Sequence, residues 1–249
     1  MFKKAILFSL SIFFALNTFA QETTFQWKAT RVLMDSTWNF PEELVVKGII
    51  DFYKPQVDSQ MQQVVGISEQ EMRSGRPESL LSNFTVDAML EIAQRKSENN
   101  VDFALTNFGG LRASIPAGEV RRYDIYSTYP FDNYLVIIDL KGSSVKKLFN
   151  ILAASIEPLS SNVFLSVKSG KLNYALINGV QIDDRKTYRV ATLDFLMTGG
   201  DNLYPLKEAV KVEQTGMLLR DVILEKIESL TANNQKISSK ITNRIKIAQ

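Results

Sequence analysis

Apolar and polar positions divide the chain into segments of different period. Residues 5–16 form an unbroken run of apolar residues and Ser behind Lys3 and Lys4, and Thr18-Phe19-Ala20 follows as a cleavage site. This predicts a secretory signal peptide over residues 1–20, too short in its apolar part for a comfortable membrane span. The exported chain, periplasmic or extracellular, would begin at Gln21, and no Cys follows to carry a lipid anchor. No other apolar run is long enough to cross a bilayer. Residues 27–38 read as extended. From Glu42, Leu44, Val45, Ile49, Ile50 and Tyr53 keep a helical period up to Pro55, and Val57, Met61 and Val65 continue at four-residue spacing. That pattern predicts two helices, or one bent at Pro55.

Residues 68–78 are polar. A clear amphipathic helix follows, with Leu81, Phe84, Ala88, Met89, Ile92 and Ala93 on one face and Glu91, Arg95 and Lys96 off it. Asn99-Asn100 ends it, and residues 101–105 form a short buried strand. Residues 120–129 are rich in β-formers, and residues 134–140 read as a strand. Ser143 is placed as the N-cap of a helix with Val145, Leu148, Phe149 and Leu152 inward. Residues 163–167 and 172–177 pair as strands around Ser169-Gly170, Asn178-Gly179 is a hairpin turn, and residues 188–192 are another strand. A last amphipathic helix spans residues 217–230, and the tail from Thr231 is polar. Hairpins are as frequent as strand–helix units, so the class is α+β, with mixed or antiparallel sheets and packed helices. One domain over residues 69–249 is expected, with residues 21–68 a strand and helical extension packed on it.

Charge and composition narrow the chemistry. The sequence has 29 basic and 27 acidic residues, and loss of Lys3 and Lys4 with the signal leaves 29 − 2 = 27 against 27. A neutral chain has no long-range field for DNA or RNA. There is no Cys, hence no disulfide, and no His. Without His, neither a Ser-His-Asp triad nor a His-ligated metal centre can be built from these residues. Any catalysis by this chain alone would have to use carboxylates, Lys or Tyr, and no metal-ligand cluster is expected in it.

Two Gly-Gly turns stand out: Thr106-Asn107-Phe108-Gly109-Gly110-Leu111-Arg112, and Gly199-Gly200-Asp201. Each follows an apolar stretch and carries side chains suited to a small polar ligand. Glycine pairs let a backbone turn sharply and let a ligand approach it closely. On the glycines alone, ordinary strand-ending turns and a ligand site both remain open.

Further segments join these two in one order. They are Asn83-Phe84-Thr85-Val86-Asp87-Ala88-Met89, Pro130-Phe131-Asp132-Asn133, Leu140-Lys141-Gly142-Ser143-Ser144-Val145 and Asp194-Phe195-Leu196. Over roughly residues 42–230 the set resembles the C-terminal domain of the 5′-nucleotidase family, which includes bacterial UDP-sugar hydrolases and ecto-5′-nucleotidases. Its pattern runs from an Arg-containing stretch and Asp-Ala-Met through Asn-x-Gly-Gly-x-Arg and Pro-Phe-x-Asn to Asp-Phe-Leu and Gly-Gly-Asp. Six ordered blocks are far more specific than any one of them.

The resemblance implies a nucleoside pocket. Phe131 and Phe195 would clamp the base, Asn107 and Arg112 would hold the ring or phosphate side, and Asp201 would accept from ribose hydroxyls. Asn133 completes Pro-Phe-x-Asn. The alignment slips between Arg73 and Arg76, with Arg76 favoured at the ligand. Asp87 reads as structural, and Tyr126, Tyr129 and Tyr204 as packing. Full-length members also carry a metallophosphoesterase domain whose Asp, Asn and His residues hold two metal ions. The chain is therefore expected to be the exported, nucleotide-specific part of a split 5′-nucleotidase. A separate metallophosphoesterase chain would supply the divalent metals. The alternative is a stand-alone nucleotide- or nucleoside-binding protein for scavenging or sensing. Phe25, Trp27, Trp38 and Phe40 form either a docking surface for such a partner or a strand packed on this domain.

Overall fold

The computed structural model describes residues 25–39 and 43–248, so the predicted signal peptide and Phe40 lie outside the described residues. The chain divides into two units, one up to Ile50 and one from Asp51 onward. In the first, residues 25–34 adopt no strand, and a 3₁₀ turn follows at Ser36–Asn39. Helix α1 (Leu44–Met61) is continuous, with Pro55 inside it and no buried residue. The described side chains from residue 25 to residue 60 are all exposed. The helical spacing overruns at Val65, which lies instead in strand β1 (Val64–Ser68).

β1 runs antiparallel to a later strand and belongs with the domain, so a boundary at Ser68 would cut it off. Helix α2 (Leu80–Lys96) starts at Ser79, whose hydroxyl accepts the Ser82 amide while the Ser82 hydroxyl accepts the Ser79 amide. Such reciprocal caps satisfy two of the helix's unpaired donors. Its Leu81, Met89 and Ile92 are fully buried, as their spacing predicts. Each such large apolar side chain contributes about 1.5–3 kcal/mol relative to exposure. The expected strand at 101–105 is regular only at β2 (Phe103–Ala104), although residues 101–106 are all buried.

Strand β3 (Gly118–Arg121) is short, and the β-formers after it fold instead as helix α3 (Arg122–Thr128). The Asp124 carboxylate accepts the Arg121 amide at 2.7 Å, which starts the helix. Ile125 and Thr128, three apart, are its buried positions, so helical period and cap override propensity. Strand β4 (Tyr134–Lys141) leads directly into helix α4 (Gly142–Ser155). Ser143 is not the cap: the Gly142 amide donates to the Lys186 carbonyl at 2.8 Å, so strand passes to helix at Lys141.

Strands β5 (Val163–Lys168), β6 (Lys171–Ile177) and β7 (Val180–Gln181) form consecutive hairpins. Their turns at Ser169-Gly170 and Asn178-Gly179 have left-handed backbones, as tight hairpins require. Strand β8 (Thr187–Leu193) is followed by the short helix α5 (Asp194–Met197). Strand β9 (Lys211–Leu218) has no counterpart in the sequence pattern; it is an edge strand without a buried residue, so no apolar alternation marks it. Helix α6 (Leu219–Ala232) follows, two residues later than expected. The polar tail is not a plain tail. It buries Ile237 and Arg244 and ends in strand β10 (Ile245–Ala248), parallel to β5.

The strands make a sheet of order β2-β8-β4-β9, a second of order β10-β5-β6-β7, and the β1-β3 pair. Helix α2 packs on β2, β4 and β8, and α4 packs between both four-stranded sheets. This α+β arrangement is the expected class. Asp87 is structural, as read: its carboxylate receives both terminal nitrogens of buried Arg244 at 3.0 Å, and the Ser161 amide. Among the described residues no helix is long and apolar enough to cross a membrane.

Candidate functional site

Three segments leave one end of the β2-β8-β4-β9 sheet. β2 runs parallel to β8, with Ala104 opposite Ala191, so both strands finish at the same end. β4 runs antiparallel to β8, with Leu135 opposite Leu193, so β4 begins there. Register alone therefore gathers residues 107–112, 130–133 and 194–201, the segments singled out from sequence. The Tyr134 amide donates to Asp194 Oδ1 at 3.0 Å and fastens the start of β4 to the end of β8.

Asn107 and Asp201, distant in sequence, meet directly. Asn107 is buried, and its Nδ2 donates to Asp201 Oδ2 at 2.6 Å. Because Asp201 accepts, the amide oxygen Oδ1 points elsewhere, and it is buried with no hydrogen-bond partner in the protein. An unmatched buried acceptor costs about 1–3 kcal/mol. Asp201 itself sits in the left-handed region at φ 51°, just after Gly199 at φ 90°.

Phe131 and Phe195 are 47% and 43% exposed, which is high for large aromatic side chains. No contact joins the two rings. The Phe195 ring lies over Gly200, where an added Cβ would come within 2.5 Å of it. The Arg112 guanidinium lies 6.0 Å from the Phe131 centroid and donates to the Gly109 carbonyl at 3.4 Å. Arg112 is exposed, so its remaining donors face solvent. Asn133 is half-buried, and its carbonyl accepts the Leu219 amide at 2.9 Å. Asp132, between Phe131 and Asn133, pairs with Arg220, which stacks on Tyr126.

Arg76 comes to the same region, with Nε and Nη2 held by protein acceptors and about half of the side chain exposed. Nε donates to the Ile156 and Ser155 carbonyls at 3.0 and 3.3 Å, and Nη2 to Glu157 Oε1 at 2.7 Å. Its guanidinium lies 4.7 Å from the Phe108 centroid. Arg73 instead pairs with Glu71 and, with Arg112, lines a small hollow of about 260 Å³. Tyr129 packs as read, fully buried with its hydroxyl on Thr85. Tyr204 does not: it is exposed, and its hydroxyl donates to Asn202 Oδ1 at 2.8 Å.

Sequence reasoning missed Glu157. It is 5% exposed, and its Oε2 accepts the Phe108 amide at 2.8 Å. Burial pushes its carboxyl above the ordinary Glu value, the Phe108 amide and Arg76 pull it down by less, and the nearby Asp201 carboxylate adds to the rise. An acidic residue between Ile156 and Pro158, just past an amphipathic helix, was the available signal.

The chain has no His or Cys, and among the described residues no group of three or more Asp or Glu side chains could hold a metal ion. The described residues do not offer the ligand set of a two-metal phosphoesterase centre. A roomier hollow of about 640 Å³ lies between α2, α6 and residues 236–244, but Lys226 and Arg244 there are paired with Glu91 and Asp87.

Residues 62–208 match the family described as 5′-nucleotidase, C-terminal domain. Protein UshA of Escherichia coli (strain K12) is 34% identical over 139 residues, covering 54% of this chain and 25% of UshA. The trifunctional nucleotide phosphoesterase protein YfkN of Bacillus subtilis (strain 168) is 27% identical over 219 residues, covering 79% of this chain and 15% of YfkN. The crystal structure of the 5′-nucleotidase precursor from Thermus thermophilus matches with a TM-score of 0.70 at 26% identity, covering 84% of this chain and 44% of that one. The chain thus spans a quarter or less of these two curated relatives and under half of that solved structure. Sequence blocks, sheet register and a match across more than half of its length agree: the chain belongs to the 5′-nucleotidase C-terminal domain family.

Proposed function

We propose that this domain binds the nucleoside part of a 5′-nucleotide at the end of the β2-β8-β4-β9 sheet. The carrying observation is the meeting there of two half-exposed, separated phenylalanine rings with the Asn107–Asp201 pair and Arg112. Phe131 and Phe195 take the two faces of the base; stacking of this kind contributes ~1–3 kcal/mol per base and tolerates different bases. Asp201 accepts from ribose hydroxyls, and Asn107, bonded to it, takes the ring or phosphate side. Arg112 offers its fork to phosphate oxygens, a geometry Lys would not match. Arg76, whose Nε and Nη2 are held by protein acceptors, keeps its Nη1 donors for the ligand.

The reaction served is phosphate-ester hydrolysis of nucleotides, in the exported compartment that the leader at residues 1–20 addresses. The divalent metals and the attacking water come from a metallophosphoesterase chain. The absence of His and the exposed Phe25, Trp27 and Trp38 support this division of labour. Aromatic residues concentrate at the centres of protein interfaces. Two measurements test the reading. Calorimetry with AMP and adenosine should show both binding, with Arg112→Ala weakening AMP alone; if the wild-type chain binds neither, the reading fails. Deleting residues 21–40 should leave that binding intact and abolish AMP hydrolysis restored by the metallophosphoesterase. Full hydrolysis with the truncated chain would place the docking surface elsewhere.

A further inference from the structure

Glu157 is a buried ionisable side chain beside the candidate site that the proposed binding does not use. The chain reaches it through a strained residue. Helix α4 is capped at its C-terminus by Ile156, which has φ 51° and ψ 96°. A β-branched side chain is disfavoured in that region and persists only where its surroundings over-determine it. They do so here. The Ile156 amide donates to the Leu152 carbonyl at 2.8 Å, and the Ile156 carbonyl accepts Arg76 Nε at 3.0 Å.

The residues that follow brace the first Gly-Gly turn. The Pro158 carbonyl accepts the Thr106 amide at 3.2 Å, and Glu157 Oε2 accepts the Phe108 amide at 2.8 Å. Glu157 Oε1 holds Arg76 at 2.7 Å, and Arg76 lies against the Phe108 ring. Phe108 is thus gripped at its amide by one member of an ion pair and at its ring by the other. Asn107, one residue earlier, carries the side chain that meets Asp201.

We propose that Glu157 is a positioning residue for nucleotide binding: with Arg76 it fixes the turn at residues 106–108 so that Asn107 faces Asp201 and the ligand. This rests on the nucleoside-binding reading above. Glu157 touches no ligand itself. A charged, desolvated acceptor on a backbone amide holds a turn more firmly than a neutral one. A mobile Asn107 would have to be ordered again at each binding event.

The test is calorimetry of the purified chain with AMP and with adenosine, at a temperature where circular dichroism shows each variant folded. Glu157→Ala should weaken both ligands roughly ten- to a hundredfold. Glu157→Gln keeps an acceptor for the Phe108 amide but loses the charge opposite Arg76, and should fall between. Arg76→Ala and Glu157→Ala should be non-additive in the double variant, because they act as one brace. A role only in global stability would shift the melting temperature and leave affinity below it unchanged. Folded Glu157→Ala and Glu157→Gln proteins that bind both ligands as wild type does would overturn the proposal. If Glu157→Ala does not fold, Glu157→Gln decides alone: weaker binding of both ligands supports the proposal and unchanged binding sinks it. A wild-type chain that binds neither ligand removes the nucleoside reading and this inference with it, a result distinct from any variant's.

Discussion

The two Gly-Gly turns at the sheet end look alike in sequence and are held in different ways. The first, at Phe108–Gly110, is a 3₁₀ turn without a left-handed residue, and Asn107, Phe108 and Gly110 are buried. Side chains from elsewhere in the chain, Glu157 and Arg76, keep it in place. The second combines Gly199 at φ 90°, Asp201 at φ 51° and Asn202 at φ 62°, with the Phe195 ring seated on Gly200. Its shape is set by local backbone conformation and one ring. The same dipeptide is therefore required for different reasons: room beside a folded-over Asn107 in one, left-handed geometry and ring contact in the other.

Substitution at Gly200 should separate the turns most sharply. An added Cβ at Gly200 would lie 2.5–2.6 Å from the Phe195 ring and 2.7 Å from the Phe195 carbonyl oxygen, so backbone as well as ring must move. Gly200→Ala should lower stability by ~1–3 kcal/mol and displace the ring proposed to stack on the base, weakening AMP binding by at least about tenfold, or ~1.4 kcal/mol. Thermal melts and calorimetry check both effects; a variant that melts and binds as wild type would show that the ring does not rest there.

A smaller difference is expected between Gly199→Ala and Gly109→Ala. The first forces an L side chain into the left-handed region, at a cost of ~1–2 kcal/mol. The second meets Asn107 Nδ2 at 3.3 Å with no positive φ, and the amide can give way. Its loss should stay within ~0.5–1 kcal/mol. Equal losses in denaturant midpoint would erase the distinction between the turns.

Much of this site was legible, and the limits have physical causes. Phe131, Phe195, Asn107, Arg112 and Asp201 sit in short ordered motifs, and β2, β4 and β8 are buried strands whose apolar runs announce them. Register then carries the motifs to one sheet end. What stayed hidden depends on contacts across long sequence separations. Glu157 meets Arg76 and Phe108 only in the fold, and β10 is joined to the domain through β5 and buried Arg244. Strand β9 has no buried side chain and hence no period to read. Helix α3 hid among β-formers because its start depends on one carboxylate, Asp124. Helix α1, which buries no residue, was legible because its helical period is written in its apolar residues.

The smallest expected effect is in pH dependence, and it concerns the first turn alone. Burial raises Glu157, so the folded state holds its proton to higher pH than the unfolded chain does. Stability from this group is thus greatest below the ordinary Glu value and falls as pH rises through the raised folded value. Glu78 has the opposite sign. Burial raises it, but bonds from the Thr242 amide, Asn83 and the Thr242 hydroxyl, with Arg244 nearby, outweigh burial and leave it lowered. Its contribution is present above the ordinary value and is lost as pH falls through the lowered one. Denaturant unfolding across pH ~4–7, bracketing and exceeding the ordinary Glu value, should give a wild-type minus Glu157→Gln stability difference that declines with pH. A difference that rises with pH would contradict the assigned direction.

The claim that two phenylalanine rings form a base clamp is tested most directly by titrating AMP into the wild-type chain and into Phe131→Ala, Phe195→Ala and the double variant. Each ring removed should weaken binding by ~1–3 kcal/mol. Melting should change little, because both rings are half exposed. A folded double variant that binds AMP as tightly as wild type, or one that cannot fold at all, would mean that these rings serve the domain's packing and that the nucleotide, if bound, lies elsewhere.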